Sequence, residues 1–210
     1  MSKTVYLTTP LTEEAVRSLS LDDTVYLSGE LICMLYPFHF TKAIDLLKKG
    51  EKTPFPLVDG SAVYHCPAGF RKNADGTFDL RFVGSTTSSK FNAWTPEFLK
   101  LSGVRAVIGK GGMDTGVLSA LKEHGGVYLA VAGGCSAIYT TGVESLEAEY
   151  WPQPSWADNV IRLRIKNFGP LTVAMDAHGH SIYEESGSAA QDNLPSIYEK
   201  LGIQSFGNPF

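Results

Sequence analysis

Two short loops carry the residues whose types could do chemistry in this chain. Residues 84–90 read Gly-Ser-Thr-Thr-Ser-Ser-Lys, and residues 109–112 read Gly-Lys-Gly-Gly. Each loop follows an apolar stretch that is typical of a strand. Hydroxyls, backbone N–H groups and a lysine can all bind an anion, and glycine lets the backbone come close to a ligand. Together the loops predict a pocket for a small anion.

Composition excludes two broad classes of function. The chain has 210 residues, a formal charge of -4 and only 18 Lys and Arg, without clusters, so the basic surface of a nucleic-acid-binding protein is absent. No apolar run is as long as a membrane span, and the N-terminus lacks the apolar core of a signal peptide. The three cysteines, Cys33, Cys66 and Cys135, are widely spaced, which favours a cytoplasmic location over a disulfide framework.

Alternating strand-like and helix-like segments predict a single α/β domain that positions these loops. Thr95 is expected to cap one helix, with Pro96 at its first position. The turn at residues 73–76 is expected to reverse the chain between two strands. From about Ser186 the chain turns polar and predicts a loosely held tail. Strands are expected at residues 5–8, 24–27, 62–65, 78–83, 104–108, 127–132, 160–165 and 171–175, and helices at 37–49, 95–101 and 115–124.

The glycine loops do not match the common nucleotide motifs. A Walker A loop needs Ser or Thr after its lysine to hold magnesium, but Gly111 follows Lys110. No G-x-G-x-x-G segment opens a helix after a strand, which disfavours a dinucleotide site. The simplest alternative is that these glycines are turn residues of an α/β domain.

The order of six short segments carries a resemblance to a known family. The segments are Leu-Ser-Gly at 27–29, His39, Val-Gly-Ser-Thr-Thr at 83–87, Ile-Gly-Lys-Gly-Gly at 108–112, Gly-Gly-Cys-Ser-Ala at 133–137 and Asp-Ala-His-Gly at 176–179. In this order they resemble the family of L(+)-tartrate dehydratase β subunits and the C-terminal domains of class I (iron–sulfur) fumarases. The resemblance extends from about Thr8 to Tyr183.

This resemblance implies a fold of the swivelling β/β/α type, a single α/β domain with a mixed sheet and flanking helices. The domain would span residues 1–185, followed by a C-terminal extension at 186–210. The implied activity is that of a hydro-lyase, the reversible addition of water across a carbon–carbon double bond. The implied [4Fe-4S] cluster is carried by a partner α subunit in a homo- or hetero-oligomer, so this chain would bind no metal itself.

The resemblance also implies roles for individual residues. Thr86 would take part in proton transfer, Lys110 would neutralise a substrate carboxylate, and His39 would lie on the helix that flanks the pocket. A threonine hydroxyl is a poor base unless neighbouring charges tune it. The implied substrate-binding residues are Ser85, Thr87, Lys90, Gly109 and Gly111.

Several positions depart from the family pattern, including Cys66, where the family usually has glycine before proline. Leu35 and Tyr36 stand where the family usually has Arg-Asp, and Lys90 stands where it usually has arginine. Arginine binds a carboxylate through two parallel hydrogen bonds, whereas lysine provides a point charge. These changes suggest a small acid with one fewer carboxylate or a bulkier apolar group. A binding or regulatory subunit that has lost the arginine clamp, and a self-sufficient enzyme for another small acid, remain alternatives.

Further residues have both a chemical and a structural interpretation. His39 could be a core or rim histidine rather than a catalytic group. His178 and His180 are either a metal pair or turn histidines, with Asp176 capping or orienting the turn. Cys135 is either a nucleophile at a helix start or, as the favoured interpretation, a small buried thiol. The three tryptophans are expected in packing or a subunit interface, at Trp94, Trp151 and Trp156.

Overall fold

A computed structural model gives the fold and describes residues 2–152 and 159–203. The described strands are β1 (Thr4–Thr8), β2 (Thr24–Met34), β3 (Ala62–His65), β4 (Ala68–Lys72), β5 (Phe78–Val83), β6 (Ala106–Gly109), β7 (Val127–Ala130), β8 (Val143–Tyr150) and β9 (Val160–Met175). The described helices are α1 (Glu13–Arg17), α2 (Pro37–Lys48), α3 (Thr95–Ser102), α4 (Thr115–His124) and α5 (Ile182–Leu201).

Five strands close into a ring. Strands β2, β3, β6 and β7 are parallel neighbours, and the long antiparallel strand β9 pairs with both β7 and β2. Strand β1 extends the sheet beside β2, and β8 extends it beside β9. The expected α/β fold with a mixed sheet and flanking helices is confirmed.

The ring separates two hydrophobic cores because successive side chains of a strand point to opposite faces. Leu31, Cys33 and Tyr64 lie in the first core, inside the ring. Ile32 and Val63 lie in the second core, which helices α2, α3 and α4 cover.

The four parallel strands end at one rim. Their last residues are Met34, His65, Gly109 and Ala130. Since parallel strands have their carboxyl ends on the same side, the segments that follow them lie together. The loop at residues 109–112, which we call the Lys110 loop, begins at the end of β6, and the loop at residues 131–135 follows β7. This rim therefore positions the candidate site.

Two expectations about the first half of the chain are wrong. Strand β2 continues through Gly29 to Met34 instead of ending at residue 27. Gly29 has φ 104°, and a Cβ there would lie 2.5 Å from the Thr9 hydroxyl, so close packing against Thr9 explains this glycine. The 73–76 turn joins β5 to β4, a strand that the sequence analysis missed, instead of to β3.

In helix α3, the expected cap is also wrong. Trp94 is the N-cap residue, and Thr95 is already helical. The Thr95 hydroxyl donates to the carbonyl of Phe91 at 2.8 Å, so it ties the helix to the preceding turn.

In the second half, the two expected strands at residues 160–165 and 171–175 form the single strand β9, and β8 was missed. The segment expected as a polar tail forms part of helix α5 through Leu201, and the expected domain boundary at residue 185 stays a prediction. None of the α5 residues is buried. Trp156 and the last seven residues of the chain lie outside the described ranges.

Candidate active site

The structure brings the two candidate loops together along their backbones. The Thr86 N–H donates to the carbonyl of His65 at 2.9 Å, and the Lys110 N–H lies 3.4 Å from the carbonyl oxygen of Thr86. The Ser88 N–H donates to the carbonyl of Lys110 at 3.0 Å. A parallel bridge between Thr87 and Lys110 results. Residues far apart in sequence thus form one edge of the rim.

Glycine is required at two positions of the second loop. A Cβ on Gly109 would lie 1.9 Å from the Ser88 hydroxyl oxygen, so any larger residue would collide with the first loop. Gly111 has φ 71°, a left-handed conformation that other residues rarely adopt. Geometry therefore explains why glycine stands at both positions, and their expected role in substrate binding stays a prediction.

Lys110 provides an uncompensated positive charge at this junction. Its side chain is half-buried and passes the Gly133 backbone, where a Cβ would lie 3.7 Å from the lysine Cδ. Lys90 is exposed on the 3-10 helix Ser88–Phe91. Within the described ranges, no carboxylate comes within ion-pair distance of either ammonium group. Both lysines are therefore available to an anion.

The three hydroxyl residues of the first loop differ in their surroundings. Thr86 and Thr87 are half-buried, and neither hydroxyl has a hydrogen-bond partner in the part of the chain that the structure describes. The Ser85 hydroxyl is buried beside the Tyr64 phenol, and neither oxygen has a partner of ordinary geometry among described residues. Burial raises the pKa of Tyr64 far above its usual value. Ser85 thus faces the interior of the ring.

A buried polar cluster that the sequence analysis missed lies beneath the Lys110 loop. His65 Nδ1 lies 2.9 Å from the Ser88 hydroxyl, which lies 2.9 Å from the Tyr128 hydroxyl. The Tyr128 hydroxyl also donates to the carbonyl of Gly111 at 2.8 Å. Burial lowers the pKa of His65 to about 3, so its imidazole is neutral at physiological pH.

His39 lies at the same rim, where it serves the start of helix α2. The ring is fully buried, and its Nδ1 accepts hydrogen bonds from the backbone N–H groups of Leu35 at 3.1 Å and Tyr36 at 3.4 Å. Its aromatic neighbours include Phe38 at 4.4 Å and Trp151 at 6.4 Å between ring centroids. This arrangement agrees with the interpretation of a core histidine, and Trp151 takes part in packing as expected.

The histidines after β9 are used in a turn. His178 Nε2 lies 2.9 Å from the carbonyl oxygen of Arg17, and His180 Nδ1 lies 2.9 Å from an Asp176 carboxylate oxygen. Asp176 also accepts from the backbone N–H groups of both histidines. Although burial acts to raise it, these hydrogen bonds lower the pKa of Asp176 overall. Asp176 therefore orients the turn.

The cysteines offer no metal-ligand set. Cys33 and Cys66 are buried, and burial raises the pKa of Cys33. Cys135 is exposed, so the expectation of a buried thiol there is wrong. It lies in the glycine-rich loop after β7, which stays at the surface. Throughout residues 2–152 and 159–203, no three Cys, His, Asp or Glu side chains gather as a possible metal site.

Comparison with known proteins identifies relatives along nearly the whole chain. The family described as "Fumarase C-terminus" matches residues 1–186. A Methanocaldococcus jannaschii protein named "Putative L(+)-tartrate dehydratase subunit beta" is 38% identical over 197 residues, which cover 93% of this chain and 96% of that protein. The L(+)-tartrate dehydratase subunit beta of Escherichia coli (strain K12) is 30% identical over 196 residues, covering 93% and 94% of the two chains.

A third relative has a longer chain. The protein of Geobacillus stearothermophilus named "Putative fumarate hydratase class I" is 32% identical over 199 residues, which cover 95% of this chain but 37% of that protein. The resemblance drawn from the six short segments is confirmed by these matches. The chain belongs to the family of fumarase C-terminal domains and L(+)-tartrate dehydratase β subunits.

Proposed function

We propose that this chain is the β subunit of an iron–sulfur hydro-lyase that reversibly hydrates and dehydrates a small hydroxy acid. The observation that supports this most is the backbone junction between the two loops, which joins the backbone of unpaired Lys110 to that of Thr86 and Thr87. Its relatives carry the names of tartrate dehydratase and fumarate hydratase, both of which are hydro-lyases. Family and geometry thus support the same reaction class.

In this proposal, each loop residue has a distinct task. The Lys110 ammonium binds a substrate carboxylate, since a partly desolvated cation without a partner attracts an anion strongly. The Thr86 hydroxyl lies beside the substrate and exchanges a proton with it. Thr87 and the glycines at 109 and 111 shape the backbone around the acid. His39 fixes the start of the neighbouring helix at the rim.

We propose that a partner α subunit carries the [4Fe-4S] cluster. When bound there, the cluster supplies a Lewis acid for the hydroxyl group that leaves the substrate. The donor groups of this chain suit the other end of the substrate, because the described rim offers lysine and hydroxyl groups and no thiolate cluster. The free cysteines also agree with a cytoplasmic location.

The naming and lengths of the relatives support a separate partner. Two relatives are named as subunit beta and match this chain over nearly their whole length. The similar region covers 37% of the Geobacillus relative, so the remaining 63% of that chain lies outside it. We infer that a second polypeptide provides the part that lies outside the similar region in the longer relative, where both parts belong to one chain. In the described ranges, no helix has the length and apolarity to cross a membrane.

We further propose a substrate with fewer carboxylates or a larger apolar group than fumarate or tartrate. Neither loop has an arginine, and the rim after β2 presents stacked aromatic rings, Tyr36 and Phe38, with centroids 5.9 Å apart. Both rings are exposed by more than a third. An aromatic surface favours an apolar substituent over a second carboxylate.

Purification of the chain alone and with a co-expressed cluster-bearing α subunit tests this function. The chain alone should be colourless and inactive, and the complex should turn over monocarboxylic 2- or 3-hydroxy acids faster than fumarate or L-tartrate. The variant Lys90→Arg should improve the use of dicarboxylates, because it restores a bidentate donor. Rapid fumarate hydration would contradict the substrate proposal. A complex that binds acids without turnover would favour a regulatory subunit.

A further inference from the structure

A line of buried polar groups runs beneath the Lys110 loop. It passes from His65 through the hydroxyls of Ser88 and Tyr128 to the carbonyl oxygen of Gly111, in steps of 2.9, 2.9 and 2.8 Å. All three side chains are fully buried, with relative exposures of 0%. They come from three elements, the end of β3, the first turn after Thr87, and β7. The line therefore ties three elements of the rim together.

The hydrogen bonds in this line have one direction. A carbonyl oxygen only accepts, so Tyr128 must donate its single proton to Gly111. The Ser88 hydroxyl must then donate to the Tyr128 oxygen, because otherwise no proton would lie between the two oxygens. It follows that His65 donates its Nδ1 proton to Ser88. Each donor is then used once, and the tautomer of His65 is fixed.

The far side of His65 is consistent with this direction. In this tautomer Nε2 is a bare acceptor, and it is buried without a partner among the described residues. The ring contacts Phe91 at 4.4 Å and Phe40 at 5.6 Å between centroids. A second proton would have to enter this apolar space, which explains why burial depresses the pKa of His65 to about 3. The line therefore stays neutral and keeps its direction throughout the physiological pH range.

We propose that His65, Ser88 and Tyr128 are positioning residues that hold the Gly111 carbonyl and thereby aim the Lys110 side chain. Gly111 is exposed and has φ 71°, so its backbone needs an anchor to keep this turn. Tyr128 provides the anchor from below, and the Ser88 N–H binds the carbonyl of Lys110 itself. What Lys110 binds rests on the proposed function, but the positioning does not.

Hydrogen exchange in the isolated chain tests the positioning directly. Tyr128→Phe removes the donor to Gly111, so amide exchange in residues 86–90 and 109–113 should become about tenfold faster. Ser88→Ala, which breaks the line at another point, should have the same effect in the same segments. The matched control is Ser102→Ala, which removes a buried hydroxyl that accepts from Val104 N–H at 3.2 Å, away from the loop. Unchanged loop exchange in both line variants would overturn the proposal.

Two replacements of His65 separate positioning from simple packing. An asparagine amide can place an N–H near the Nδ1 position, whereas the glutamine amide reaches the Nε2 position. His65→Asn should therefore retain slow exchange in residues 109–113, and His65→Gln should lose it by about tenfold. Equal exchange in both variants would contradict the assignment of Nδ1 as the His65 atom that supports the line.

Kinetics of the reconstituted complex extend the test to Lys110. Tyr128→Phe should raise KM about tenfold and change kcat less, because Lys110 binds the carboxylate in the ground state as well. An unchanged KM together with faster loop exchange would refute the link to Lys110. A wild-type complex without any hydration activity would instead refute the proposed function, and the exchange result would still decide the positioning.

Discussion

Two buried histidines lie near the ends of neighbouring strands at the same rim, yet they use the same ring nitrogen in opposite ways. His39, after β2, accepts two backbone N–H groups at Nδ1, which fixes the start of helix α2. His65, at the end of β3, donates from Nδ1 to Ser88 and thereby supports the Lys110 loop. Both rings are fully buried. The structural role of a buried histidine therefore depends on the hydrogen-bond partners of its ring nitrogens, since burial alone does not distinguish the two.

The difference also concerns the range of the contacts. The N–H donors to His39 lie three and four residues away, whereas Ser88 lies 23 residues from His65 and Tyr128 lies 40 residues from Ser88. His39 serves a local structure that its own helix needs. His65 serves an arrangement that exists only when three elements have come together.

The same substitution should therefore have unequal effects at the two positions. At position 39, aspartate keeps an acceptor for the two N–H groups and lies in the first turn of a helix, where negative charge is favourable. At position 65 it brings an uncompensated charge into an apolar space. His65→Asp should lower the free energy of unfolding by about 4 kcal/mol, and His39→Asp by about 1 kcal/mol. Urea unfolding at pH 7 measures both, and equal losses would remove the distinction.

Acid should distinguish wild-type protein from a His65→Asn variant. The pKa of His65 is lowered from 6.5 to about 3 in the folded state. Below pH 6.5 the His65 imidazole binds a proton in the unfolded chain but stays neutral in the folded chain. The free energy of unfolding therefore falls as the pH drops below 6.5 and continues to fall towards pH 3. The wild type should lose about 3 kcal/mol more than the variant between pH 7 and pH 4. Parallel stability curves would show that His65 is protonated in the folded protein.

The variant Gly109→Ala tests how closely the Gly109 backbone packs against Ser88 and His65. The added Cβ would lie 1.9 Å from the Ser88 oxygen and 3.3 Å from His65 Nδ1. We expect a loss of about 2 kcal/mol from overpacking. Gly187→Ala in helix α5 is the matched control, because a Cβ there meets nothing within 4 Å. That control should be neutral or stabilising by up to about 1 kcal/mol, as measured by thermal unfolding. A neutral Gly109→Ala would contradict the close approach of Ser88.

Much of the fold could be predicted because its signals are local. Helix α4 has the predicted bounds because the glycine at 125 marks its end, and in the structure the Asp114 side chain caps its start. Strand β8 was missed because its apolar residues are interspersed with three glutamates, and its pairing with β9 determines its conformation. The continuation of β2 through Gly29 depends on a contact with Thr9, which no local pattern shows.

The residues of the candidate site likewise divide into those with a local sequence signal and those without one. Lys110, Thr86 and the glycines stood out because loops of small residues with a lysine are unusual after strands. His65, Ser88 and Tyr128 had no such signal, because a lone histidine, serine or tyrosine near a strand end is common. Only the closed ring brings them together beneath the loop.

The proposal that the two loops form the acid-binding site is tested by the activity of Lys110→Ala in the reconstituted complex, compared with that of Lys100→Ala. Lys100 is an exposed lysine of helix α3 on the described surface and serves as the charge-matched control. Loss of a cation that binds the substrate carboxylate should lower kcat/KM about a hundredfold, while Lys100→Ala keeps the wild-type value. Equal activity of the two variants would contradict the account that these loops form the acid-binding site.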